Sequence, residues 1–370
     1  MGLAPIFCAS SASAINWNDV AVGTDSNIAG GSVYTLKAAD LSTVAPAGQN
    51  PATGLGTVAD VGFQTNRTPL PVNTPPGTFP GGPSKDLETV VWITEAGVAT
   101  NANANRPEDK VLQVSPTGFT GSDLTVLGDD TVFLGGSGSA EGEIRDSGLL
   151  NPVSAAVGDG VVDSVWQKLP SDNVAVAYID GGVGKLGIRD GDGSTVGVDA
   201  TLPAVPVDVD IWRQNPTLVV ATGTNTLSVY DGLTLSLLDT EMLSLTGDQE
   251  IVAISVLSDR SVAVALYDAM TDMSQIQIVD EMLDPVSSSP MYAYEITAMD
   301  NQNVIDTLIV GNDVGEVRML DSSNYSELFL RSFGDGSGGI TAITVNAPEP
   351  AAAALALLAL AGCGACRRRG

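Results

Sequence analysis

An all-β fold of repeated four-strand units is predicted by three features of this 370-residue sequence: β-branched runs at a near-constant interval, aspartates closing the strand after each run, and a composition rich in glycine and poor in charge. The runs are DVAVGT (19–24), TVVWITE (89–95), TVFLGG (131–136), NVAVAYID (173–180), TLVVATG (217–223), SVAVALYD (261–268) and TLIVGND (307–313). Counted from the second residue of each run, the last five intervals are 42, 42, 44, 44 and 46 residues. Gly supplies 41 residues and charged residues only 16%, against about 25% in ordinary soluble domains, which fits many short strands joined by tight turns.

Within each unit a second strand alternates apolar and polar residues and ends in an acid: Asp40, Asp146, Asp190, Asp231, Asp280 and Asp321, with KVLQVS placing Ser115 in the remaining slot. An aspartate at a strand exit predicts a turn in which the carboxylate accepts backbone N–H groups just ahead of it. A third, weaker strand such as TLSLLDT (234–240) follows. The fourth is apolar: TVADVGF, DLTVLG, VDSVW, DVDIW, IVAISVLS, YEITAMD and, last, ITAITV (340–345). The first interval is 70 residues, and its excess lies in TPLPVNTPPGTFPGGPS (68–84), where six prolines forbid an interior strand. That insertion reads as a spacer or as a polyproline II segment for a partner.

Seven such units over residues 15–346 spell a seven-bladed β-propeller. The fourth strand, being the most apolar, is expected innermost. ITAITV then joins DVAVGT, SVYTLKAA and a segment near Leu41–Val44 in one blade, so that N- and C-terminal strands pair and close the ring. The pattern resembles WD40 and YVTN-like propellers, with the apolar-x-Asp strand end in place of Trp-Asp. It lacks both the Gly-His dipeptide and the YVTN tetrapeptide, so the resemblance implies fold and not activity.

The two ends differ from the repeats. Residues 1–14 (MGLAPIFCASSASA) finish in a small-residue Ala12-Ser13-Ala14 site and read as a signal-peptide remnant, or else as an ordinary N-terminus. Near the C-terminus, Pro348-Glu349-Pro350 precede the uncharged AAAALALLALAGCGAC (351–366), and Arg367, Arg368 and Arg369 follow. As a helix the 16 apolar positions span about 24 Å, and the basic cluster sets the body outside the cell. Residues 347–370 resemble a PEP-CTERM sorting segment. The resemblance implies recognition by an exosortase-type enzyme, processing near Pro348–Pro350, and release to the cell surface or an extracellular matrix. An uncleaved anchor and a packed Ala-rich helix are the other readings.

Composition narrows the chemistry. With 44 acids against 16 bases the formal charge is −28, which repels nucleic acid and anionic lipid, so membrane contact is expected only through the C-terminal segment. There is no histidine, and Cys8, Cys363 and Cys366 all fall in the terminal segments. The body therefore has no imidazole base, thiolate nucleophile or disulfide.

Few residues single themselves out as a site. Asp190, Asp192 and Asp199, in DGDGSTVGVD, offer hard oxygen ligands around glycines and could begin a calcium loop, although EF-hand spacing is not met and a plain hairpin turn explains them too. Gly136-Ser137-Gly138 is followed by a strand-like AEGEIRD rather than a helix, which argues against a nucleotide loop. Trp166 and Trp212 occupy matching places in consecutive fourth strands, as core or as ligand-stacking residues. A carboxylate pair could run glycoside hydrolysis, yet more than forty acids leave no way to choose it. The sequence thus predicts an exported propeller, without a required cofactor, that binds polysaccharide or a surface protein without catalysis. The alternative is a secreted carboxylate-dependent hydrolase or lyase acting on polysaccharide.

Overall fold

The computed structural model describes residues 19–37, 39–43, 51–64, 89–103, 111–137, 141–167, 172–212, 216–302 and 307–345. The insertion at 68–84 and the segments 1–14 and 347–370, with the expected sorting helix, lie outside the described residues. Among those described every regular element is a strand, and no helix is long and apolar enough to cross a membrane.

The chain runs through β1 (Asp19–Thr24), β2 (Ser32–Lys37) and β3 (Ala52–Thr53), then β4 (Val58–Gln64), β5 (Thr89–Thr94), β6 (Val98–Asn103) and β7 (Val111–Pro116). Next come β8 (Thr120–Val126), β9 (Val132–Ser137), β10 (Glu141–Arg145) and β11 (Val153–Ala156), followed by β12 (Gly160–Gln167), β13 (Asn173–Asp180), β14 (Val183–Arg189) and β15 (Ala200–Thr201). Then follow β16 (Pro206–Trp212), β17 (Thr217–Thr222), β18 (Thr226–Asp231) and β19 (Leu237–Met242), and β20 (Gln249–Val256), β21 (Val262–Asp268), β22 (Met273–Val279) and β23 (Pro285–Ser288). The last are β24 (Ile296–Gln302), β25 (Thr307–Asn312), β26 (Glu316–Asp321), β27 (Glu327–Ser332) and β28 (Ile340–Val345).

Pairing is antiparallel throughout, in four-strand sets of consecutive strands, except that β28 pairs with β1 and completes the set β28-β1-β2-β3. The single pair Gly160↔Ser137 joins β8–β11 to β12–β15 in one eight-stranded sheet. Every buried apolar cluster is shared by two successive sets. Val219 and Leu227, for example, pack against Ile254 and Val264 of the next set. The hydrophobic stabilisation, about 1.5–3 kcal/mol per fully buried Val or Leu, therefore lies between sets rather than within them. The result is an all-β, propeller-like fold.

Several expectations change. The first strand of each set, β4 and its counterparts, lies against its equivalents in the neighbouring sets, as the fourth strands of the repeat should. It is nevertheless not the most apolar. Complete burial falls to the strand beside it: all six residues of β1, β5 and β25 are buried, because these strands are covered by neighbours on both faces. KVLQVS is not a second strand. That place belongs to VATNAN (98–103), whose Ala and Asn give little strand signal, and VLQVSP forms β7 outside it. The third strand of the set containing β1 is Ala52–Thr53, and the segment near Leu41 contributes only the isolated bridge Leu36↔Thr43.

The turn aspartates behave as the sequence predicts. Asp190 Oδ1 accepts the N–H groups of Asp192 and Ser194, and Asp40, Asp146, Asp231, Asp280 and Asp321 each accept at least one N–H ahead of them. Less expected are the buried Leu149, Leu235, Leu283 and Tyr325 at positive φ in these same turns. Their burial offsets the cost of a left-handed backbone, normally a glycine position.

Candidate functional site

The strands β4, β8, β12, β16, β20, β24 and β28, here called inner strands, share one irregularity. An extra residue interrupts the register near the start of each: Ala59, Ser122, Val162, Val207, Val252, Thr297 and Thr341. Such a bulge re-aims the residue that follows it. In four consecutive inner strands that residue is an acid, Asp60, Asp123, Asp163 and Asp208. In the other three it is Ala253, Ala298 and Ala342.

The acids reach across to the next inner strand. Asp60 Oδ2 accepts the N–H of Leu124 (2.8 Å) while its Oδ1 accepts that of Val61 (2.7 Å). Asp123 accepts the Ser164 hydroxyl, Asp163 the N–H of Val209 (2.8 Å), and Asp208 the N–H of Ile254 (2.7 Å). Two residues further along, Asp210 and Asp300 repeat the device, accepting the N–H groups of Val256 and Val345 at 2.7 Å each. Between β20 and β24 the direction reverses, and Asn301 Nδ2 donates to Ser255 Oγ (2.7 Å) and to the Val256 carbonyl (2.6 Å). Where β28 meets β4 the shared contact is apolar, with Ala342, Val58 and Val61 in one cluster.

These carboxyls hold their protons more tightly than ordinary aspartates. Burial is the largest cause for all four, and it pushes Asp123 up to about 6. Asp60 is raised further by the charges of Asp123 and Asp300, and Asp163 by the charge of Asp208. Asp123 is only 2% exposed, whereas Asp60, Asp163 and Asp208 keep partial contact with solvent. For Asp60 and Asp163 the direction therefore stands on their like-charged neighbours as well as on desolvation, whereas for Asp208 it stands on desolvation, which the hydrogen bond with Asp163 opposes. Asp163 lies beside both Asp123 and Asp208, and the charges of both favour its protonated form.

The residues grouped by the sequence are engaged separately. Asp190 and Asp192 lie in the turn after β14. Asp199 instead accepts Arg189 through both oxygens (2.8 and 3.0 Å) and the Tyr178 hydroxyl, whose proton is held up to about 12, chiefly by burial. Arg189 is 1% exposed and its Nε donates to the Ala156 carbonyl of the preceding set, making this a tie between sets. Among the described residues no group of three or more His, Cys, Asp or Glu is arranged to hold a metal. Trp166 and Trp212 are not at matching places. Trp166 pairs with Val174 and Trp212 with Thr217, an offset of one residue that turns them to opposite faces. The Trp166 indole donates to Asp172, while Trp212 packs among Val219 and Leu243. Glu141–Arg145 after Gly136-Ser137-Gly138 is a strand, as expected.

No family model matches the chain, and no curated protein does. Solved structures do: 1465 chains are similar, a breadth that carries fold without activity. One is the computationally designed Ika8 protein, with a TM-score of 0.57 and 13% identity over 87% of this chain and 86% of that one.

Proposed function

We propose that this chain is an exported, seven-bladed β-propeller, closed by the pairing of β28 with β1, which binds extracellular polysaccharide or another surface protein without catalysing a reaction on it. The seven-blade reading is supported by the unbroken succession of inner strands, β4 to β8 and onward to β28, which in turn packs on β4. Export rests on the sequence of residues 347–370, with Pro348–Pro350 as the processing region and Arg367–Arg369 as the basic stop. Processing by an exosortase-type enzyme would leave the mature chain shortened near Pro348, a difference that intact-mass measurement reads directly.

The observation that carries the non-catalytic reading is the use made of the inner carboxylates. Both oxygens of Asp60, Asp210 and Asp300 are occupied by backbone N–H groups, so these inner acids serve as clamps between strands. The turns and the exposed outer strands β19 and β27 are left as surface for a partner. A glycan-binding screen of the full chain, with and without calcium and coupled to an assay for released sugar, tests this. Retention of a glycan without product is the expected result, and product overturns it.

A second reading has one observation of its own. Asp123 and Asp163 converge and hold protons tightly, as a general acid must. Sugar release abolished by Asp163→Asn would establish that hydrolase or lyase reading.

A further inference from the structure

The file Asp60–Asp123–Asp163–Asp208 spans four consecutive inner strands without a cation. The acids facing it are Asp210 on β16 and Asp300 on β24; Glu250 lies exposed at the start of β20. No Lys or Arg occurs on any inner strand, nor on β1, β5, β9, β13, β17, β21 or β25 packed beside them; their only acids are Asp19, Asp180 and Asp268, each at a strand terminus. Like-charged carboxylates at such close range cannot all ionise. A proton shared between two of them turns repulsion into a hydrogen bond, and Asp163 lies between two such partners.

We propose that this file makes the association of the inner strands proton-dependent: four successive sets are fastened while protons are retained between the carboxyls, and are loosened as rising pH removes them. The inference needs neither export nor a partner. Its sign is set by linkage. A carboxyl whose affinity for protons is higher in the folded than in the unfolded chain contributes stability that is complete below the unfolded value, near 4, and is lost as pH climbs through the folded one. For Asp123 that window runs from about 4 to about 6, and Asp60 and Asp163, also displaced upward, add to the loss in the same direction. Ordinary acid denaturation has the opposite slope.

The test is thermal unfolding of the full chain between about pH 5 and about pH 8. The wild type is compared with the double variant Asp123→Asn/Asp163→Asn, which keeps hydrogen-bonding capacity without charge. A control, Asp192→Asn/Asp248→Asn, removes the same formal charge from exposed positions. The expected result is a wild-type midpoint that falls as pH rises, a double variant that falls less and stands above wild type at the alkaline end, and a control that keeps the wild-type slope. A wild-type midpoint that climbs with pH, or a double variant whose slope matches the control, overturns the proposal. Infrared spectroscopy of the folded wild type at neutral pH reads the retained proton without relying on any variant's stability. A protonated-carboxyl absorption that shifts in deuterium oxide is expected, and its absence also overturns the proposal.

Discussion

The inner strands fall into two arcs built on the same backbone and finished with different chemistry. From β4 to β16 the residue after the bulge is aspartate; from β20 to β28 it is alanine. The bulge occurs in both arcs, so the carboxylate does not cause it. What six of the seven strands share is a small partner on the adjoining strand, the exception being Ile93 opposite Asp60. Gly135 faces Asp123, Ala177 faces Asp163, Ala221 faces Asp208, Gly311 faces Ala298 and Gly23 faces Ala342. A Cβ on Gly135 would come within 2.8 Å of Val161, and one on Gly311 within 2.5 Å of Ile340, each in the inner strand of the next set. Close approach between sets is thus the common requirement, and the acids are an addition to it.

The largest expected effect ignores the boundary between arcs. Gly135→Val and Gly311→Val both force a branched side chain into the neighbouring strand and should each cost about 3 kcal/mol, as overpacked cores do. Denaturant unfolding of the two variants checks this. If only the variant in one arc were destabilised, the arcs would differ in packing as well as in charge, and the comparison above would fail.

Next in size is an effect confined to the acidic arc. Asp208→Ala strands the buried N–H of Ile254 and should cost about 2 kcal/mol, whereas Asp208→Asn retains an acceptor and should cost clearly less. Ala253→Gly, the corresponding change in the other arc, removes one methyl and should stay near 1 kcal/mol. Equal losses for Asp208→Ala and Asp208→Asn would mean that the clamp contributes nothing beyond its charge.

How much of this could be read beforehand follows from what each residue answers to. The turn aspartates answer to their own neighbours in sequence, so Asp146 and Asp231 declare themselves at once. The pairing of β1 with β28 follows from counting units. The inner file is present in TVADVGF, DLTVLG, VDSVW and DVDIW, but the apolar residues that mark these runs as strands do not single out Asp60, Asp123, Asp163 and Asp208. Only the bulge, one residue before each acid, brings the four into one column. Their partners Leu124, Ser164, Val209 and Ile254 lie 41 to 64 residues away, and no local rule reaches that far. Trp166 and Trp212 failed for the same reason in reverse, since a shared tryptophan suggested a register that the strand pairing shifts by one residue.

The smallest expected effect separates inner from turn aspartates by the sign of its pH dependence. Asp231 is held below the ordinary carboxylate range, first by the N–H of Thr234 and then by its hydroxyl, and Asp321 similarly by Ser323. A depressed carboxyl stabilises the fold above its unfolded value and loses that contribution as pH falls through the folded one. Asp231→Ala should therefore cost about 1 kcal/mol near neutral pH, the usual worth of such a turn bond, and the deficit against wild type should shrink below about pH 4. The inner file predicts the reverse trend over a higher range. A pH series of unfolding midpoints for Asp231→Ala beside Asp163→Asn shows whether the slopes oppose. Parallel slopes would mean that the inner carboxyls titrate as solvated acids do, and that burial beside one another leaves their protons no more tightly held than those in the turns.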